Sequence, residues 1–122
     1  MITYTLNEQA GILHVSPQGK LQAADFEQLA NRLDAYLQSH PKLKGLIIET
    51  PRFPGWENFA AFKAHMKFIK EHYQRVEKIA LVSDTKLAPI AEKIIPFILN
   101  IPVKHCPYGQ LDAAKQWMES FK

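Results

Sequence analysis

Five histidines, one cysteine and a carboxylate closing an apolar run are the side chains of this 122-residue chain best suited to chemistry. His65 and His72 are seven residues apart in a helical stretch, so they share a face at a separation of about two turns. That is too far for a shared tetrahedral metal without a third ligand between them. His14 falls in an extended run where it packs or faces solvent, and His40 and His105 have no evident partner. Cys106 sits between His105 and Pro107 near the end of a strand. Neighbours on a strand point to opposite faces, so His105 is not placed to act as its base. A structural thiol is the expectation. Glu49 ends a central strand, where α/β proteins build their sites, and is expected to give a pocket no more than a polar contact. Gly45, Gly55 and Gly109 are isolated, with no phosphate-cradling loop among them. No nucleophile–base set assembles. The chain is therefore read as non-catalytic, with no metal and no cofactor.

The other constellations bind rather than react. Phe53, Trp56, Phe59 and Phe62 crowd one proline-rich loop and the start of the following helix. Phe59 and Phe62 fall on the helix stripe Phe59, Phe62, Met66, Ile69 and Tyr73, where core packing accounts for them. Phe53 and Trp56 lie in the loop itself. They either fold down on the core or form a pocket mouth or a membrane-inserting edge, since pocket walls use core residues and tryptophan favours the membrane interface. Further on, Leu87, Ile90, Ile94, Ile95, Phe97, Ile98 and Leu99 cover more of a helix than one buried stripe requires. That helix is either buried on two sides or presents its outer face to a ligand, a partner or lipid. The candidate ligand-binding set is Phe53, Trp56, Phe59, Phe62, Met66, Ile90, Ile94 and Phe97. Lys63, Lys67 and Lys70 share one helix face, and Lys86 and Lys93 add a pair on the next helix. They read either as an ordinary solvated face or as a surface for anionic headgroups, because lysine beside apolar bulk is the composition of an interfacial helix.

The elements that position these groups follow from periodicity and punctuation. Thr3 to Asn7 alternates, and Ile12 to Ser16 follows after a short link, which predicts a β-hairpin. From Ala24 the period turns helical through Phe26, Leu29, Leu33, Tyr36 and Leu37, with Asp25 in the first turn and Pro41 as the stop. Leu46-Ile47-Ile48 within Leu43–Thr50 predicts a buried central strand. Asn58 is a plausible cap for the helix that follows the loop. Ile79 to Val82 predicts a second buried strand. Thr85 to Leu99 predicts a helix interrupted or kinked near Pro89 and Pro96. Ile101 to Cys106, flanked by Pro102 and Pro107, predicts an edge strand. The closing helix presents Leu111, Ala114, Met118 and Phe121 to the core, with Trp117 beside them. The order ββαβαβαβα predicts a mixed five-stranded α/β sheet joined by right-handed crossovers.

Composition sets the broader bounds. Apolar residues make up 47% of the chain, an ordinary share for a globular protein with a core. A net charge of +3 is too small to argue for nucleic acid on its own, since that needs a concentrated basic face. No stretch reaches the roughly 20 apolar residues of a membrane span. Met1 to Leu6 shows no secretory pattern, and a single cysteine suits a reducing compartment. The expected location is the cytoplasm, with peripheral contact at the inner face of the membrane.

Several stretches carry a likeness to a known family. They are the opening hairpin running into Gly19-Lys20-Leu21 and Asp25-Phe26, the loop Pro54-Gly55-Trp56, the run Lys78 to Asp84, and the closing Asp112 to Trp117. In these the sequence resembles the SpoIIAA-like family, within the wider STAS (anti-sigma-factor antagonist) group, over essentially its whole length. The resemblance implies one domain over residues 1–122, with an apolar pocket, mobile helices over it, association with membranes or lipid-like ligands, and no attached reaction. One departure matters. Sporulation-type regulators carry a phosphorylatable serine at a helix N-terminus after the third strand. Here Glu49 to Trp56 holds no serine, and its one hydroxyl, Thr50, precedes Pro51. That switch, and the antagonist role with it, is not expected to carry over. The expected function is a regulatory module that takes up an apolar or amphipathic small molecule and docks reversibly on membrane. The alternative is a protein-interaction module, a homodimer or a regulatory complex, using the same apolar surface.

Overall fold

A computed structural model of the chain describes residues 1–120. Its elements are β1 (Ile2–Asn7), β2 (Ile12–Pro17), α1 (Ala23–Leu37), β3 (Gly45–Glu49), α2 (Phe59–His72), a 3₁₀ turn (Tyr73–Arg75), β4 (Ile79–Val82), α3 (Leu87–Leu99), β5 (Val103–Cys106) and α4 (Leu111–Glu119). The order ββαβαβαβα is the one expected. Phe121, expected on the core face of the closing helix, lies outside the described residues.

The five strands lie side by side in chain order, with β1 antiparallel to β2 and every later pair parallel. Right-handed crossovers that always step to the next strand on the same side stack their helices on one face. Hence α1, α2 and α3 share a face, and α4, after the last strand, covers the other. The register assigns the side chains. Leu13 pairs with Leu46 and Leu46 with Ile79, while Val15 pairs with Ile48 and Ile48 with Leu81, all toward the three-helix face. The alternate residues Ile47, Ala80, Val82 and Cys106 form a buried cluster with Ala114 and Met118 of α4. Both faces of β3 and β4 are thus covered, which explains their unbroken apolar runs.

Local chemistry sets the ends. The Asn58 side chain accepts the Ala61 N–H at 2.9 Å and caps α2. Asp25 accepts the Gln22 N–H at 2.8 Å at the start of α1. Arg75 donates to the carbonyls of Leu37, His40 and Pro41 and satisfies acceptors left open where α1 stops. Gly45 has no room for a side chain, because a Cβ there would collide with the Met118 sulfur on the α4 side.

The expected break at Pro89 does not occur: α3 runs continuously from Leu87 to Leu99. Pro89 falls in the first turn, where a helix N–H has no intrahelical partner to lose. Pro96 is interior and leaves the Glu92 carbonyl without its usual donor. The helix ends on Asn100 in the left-handed conformation, φ 58°. Strand β5 is shorter than expected, starting at Val103, and it lies at one edge of the sheet.

Candidate functional site

Helix α2 lies along α1, whereas α3 packs chiefly on β5 and stands apart from α2. The gap between α2 and α3, floored by β2, β3 and β4, is a cavity of about 420 Å³. Val15, Leu46, Ile48 and Leu81 form the floor, and Ala88, Ala91, Ile95 and Leu99 form the α3 wall. Among the described residues, no lysine, arginine, aspartate or glutamate lines it.

The loop before α2 closes one end, and the sequence explains how. Leu21 and Trp56 form an isolated parallel bridge, with Leu21 N–H donating to the Gly55 carbonyl and Glu57 N–H to the Leu21 carbonyl, each at 2.8 Å. Gly55 takes φ +84°, which a side chain would strain. The loop is thereby tied down, and Trp56 packs edge-on against Phe53 at 5.0 Å and Phe62 at 4.9 Å between ring centres. Its indole N–H donates to His65 Nδ1 at 3.0 Å, and the His65 ring stacks on Phe26 at 4.6 Å. Thr50, the one hydroxyl between Glu49 and Trp56, is buried and donates to the Arg52 carbonyl at 2.8 Å.

Of the candidate ligand-binding residues, Phe53 and Trp56 reach the cavity wall, and Phe59, Phe62, Met66, Ile90, Ile94 and Phe97 do not. On α2 the inward line is Ala61, His65, Phe68 and His72, rotated by about 100° from the stripe that carries Phe59. Phe59, Phe62 and Met66 thus fall on the flank of α2 rather than its buried face. Ile69 and Tyr73 still line the cavity, Phe62 is half-buried against Trp56, and Met66 and Phe59 are exposed, Phe59 by 72%. The expectation that Phe59 packs in the core is therefore corrected. On α3 the inward line is Ala88, Ala91, Ile95 and Leu99. Ile90, Ile94 and Phe97 point outward with Ile98, and Phe97 is 90% exposed, while Leu87 reaches the cavity rim. Lys63, Lys67, Lys70, Lys86 and Lys93 are exposed, and none makes an ion pair among the described residues. Lys86, Ile90, Lys93 and Phe97 recur at steps of four and three, so they share one outer stripe of α3.

Three chemical expectations also have an outcome here. Glu49 is on the opposite face of the sheet from the cavity, because it alternates with Ile48; it meets His14 Nε2 at 2.8 Å. The expectation of a pocket contact from Glu49 is corrected accordingly. Cys106 is buried against α4, and burial pushes its thiol pKa up, away from the thiolate a nucleophile needs. No group of three or more metal-ligating side chains occurs among the described residues.

The histidines carry the information that spacing missed. Burial lowers the His65 pKa to about 4. Above pH 6.5 the ring is neutral folded or unfolded. Between 6.5 and about 4 the unfolded chain takes up a proton that the folded one refuses, so stability falls with falling pH, by a total of the order of 3 kcal/mol. Urea midpoints at pH 7 and pH 4.5 check this, and His65→Phe should flatten the difference relative to wild type.

The SpoIIAA-like family model matches residues 12–119. This chain belongs to the SpoIIAA-like family. Among solved structures, an uncharacterised protein of the DUF3478 family with a SpoIIAA-like fold, from Shewanella loihica PV-4, superposes with a TM-score of 0.73. It is 18% identical, and the match covers 96% of this chain and 93% of that one. The likeness establishes the SpoIIAA-like fold, a mixed sheet with four helices, in this chain. No curated protein matches it. No helix among the described residues is long and apolar enough to cross a membrane.

Proposed function

We propose that this SpoIIAA-like domain is a non-catalytic regulatory module that takes up an apolar or amphipathic small molecule between α2 and α3 and docks reversibly on membrane with the outer face of α3. The observation that carries the reading is the uncharged, apolar lining of a cavity about 420 Å³ in volume, within the usual size range of small-molecule sites. Helix α3 is the moving part. It is attached chiefly through β5, including a hydrogen bond from His105 N–H to Glu92 Oε2 at 2.6 Å, and it lacks one interior backbone bond at Pro96. Ligand favours the open form by contacting Ala91, Ile95 and Leu99, which the closed form covers.

Native mass spectrometry before and after solvent extraction tests this. A removable mass of a few hundred daltons is the expected result. An extracted and an unextracted sample of identical mass, which then fail to take up any apolar probe, would overturn it. The exposed apolar residues of α3 also support the second reading, a subunit interface. A clean dimer without bound small molecule would select it.

A further inference from the structure

The polar groups along the cavity wall are accounted for one by one. Thr50 Oγ1 donates to Arg52, and Ser83 Oγ accepts the Thr85 N–H at 3.1 Å and reaches the Pro51 carbonyl. The Tyr73 hydroxyl accepts from Gln74 at 3.1 Å on the exposed side and keeps its own proton to donate. His72 is engaged at both nitrogens, Nδ1 by the Phe68 carbonyl and Nε2 by the Asp34 carboxylate, each at 2.7 Å. Both ring nitrogens of His72 are thus occupied. What remains is His65. Its Nδ1 is held by the Trp56 N–H, so in the neutral ring the proton sits on Nε2, which has no partner among the described residues. The Thr85 hydroxyl adds a second neutral group at the wall.

Building on the ligand-binding reading above, we infer that the cavity selects uncharged amphiphiles, apolar chains bearing one neutral acceptor such as an ester or alcohol oxygen, held by His65 Nε2–H. A carboxylate would enter with no lysine or arginine among the described lining residues to meet it, and an unpaired buried charge is far costlier than a neutral acceptor given one donor. The low pKa of His65 agrees with this, since the ring offers a donor without a charge. Trp56 acts as a positioning residue, fixing the tautomer that points the donor at the ligand.

The experiment is displacement of Nile red, a neutral probe, from the full chain at pH 8 by dodecan-1-ol, methyl dodecanoate, dodecane and dodecanoate. The alcohol and the ester are expected to displace it at concentrations at least tenfold below dodecanoate. His65→Phe, which keeps a ring to stack on Phe26, should weaken the alcohol and ester several-fold and leave dodecane unchanged. Dodecanoate competing as well as the alcohol would overturn the inference while sparing the binding site. An equal weakening of all four compounds by His65→Phe would overturn it in the same way. If Nile red does not bind the wild-type chain, the ligand-binding reading itself fails, and this inference with it.

Discussion

Ala91→Phe will cost the domain its ligand while leaving its fold intact. Ala91 is on the inward line of α3 and its methyl group lines the cavity. A phenyl ring there projects into free space rather than into packed neighbours. Enlarging a side chain in a close-packed core costs about 1–3 kcal/mol, but filling a void reverses the usual cavity penalty of about 24 cal/mol per Å³. The thermal midpoint should therefore hold or rise slightly. Uptake of Nile red or of an extracted native ligand should fall at least tenfold, equivalent to about 1.4 kcal/mol or more. Phe97→Ser is the contrast. Phe97 is the most exposed large apolar side chain of α3 and is absent from the wall, so uptake should stay within about twofold of wild type. The reverse pattern, with Phe97→Ser losing uptake and Ala91→Phe retaining it, would mean that small molecules bind on the outside of α3 and that the cavity is a packing defect.

This contrast also shows where sequence reasoning stops. The element order, the hairpin, the buried strands and the Asn58 cap were legible because each follows from a local rule: alternation, an unbroken β-branched run, or a side-chain oxygen before a helical period. A pocket was expected, but most of its lining was not legible, because a void is made by what is small. Ala88 and Ala91 on α3 and Ala61 on α2 mark the inward lines, yet alanine carries little weight in a pattern search that follows Phe, Ile and Met. The α2 stripe was rotated for a related reason. His65 and His72 count as polar in a periodicity argument, so the line through Phe59 and Met66 outweighed the line that is buried. In the fold both rings stack, His65 on Phe26 and His72 on Phe68, and both are hydrogen-bonded. A polar residue whose partners lie up to 38 positions away in the chain cannot be read as buried until those partners are in place. Glu49 failed by a single step of alternation, since only the β2–β3 register says which face it takes. Trp56 was legible as a residue in need of a partner, but the Leu21 bridge that turns it inward is tertiary.

Phe97→Ser combined with Ile98→Ser will abolish docking on anionic vesicles without affecting the fold. Phe97 is 90% and Ile98 68% exposed, so folding loses little when they change, within about 0.5 kcal/mol. Fully burying a side chain of this size contributes about 1.5–3 kcal/mol. Even partial insertion of two at a headgroup boundary implies a loss of roughly 30-fold or more in vesicle affinity, about 2 kcal/mol. Lys86 and Lys93 share the outer stripe of Phe97, and each contributes about 1 kcal/mol near an anionic surface. Replacing both with glutamate should weaken docking as well, but with a different signature. The lysine effect should shrink as salt rises, because the Debye length falls from about 10 Å at 0.1 M to about 3 Å at 1 M. The serine effect should persist, because apolar burial is not screened. Vesicle co-sedimentation across a salt series separates the two. If wild-type protein ignores the vesicles and sediments as a dimer that the serine pair dissolves, the outer face of α3 binds a second copy of this chain. The cavity behind it would then open only when that interface does.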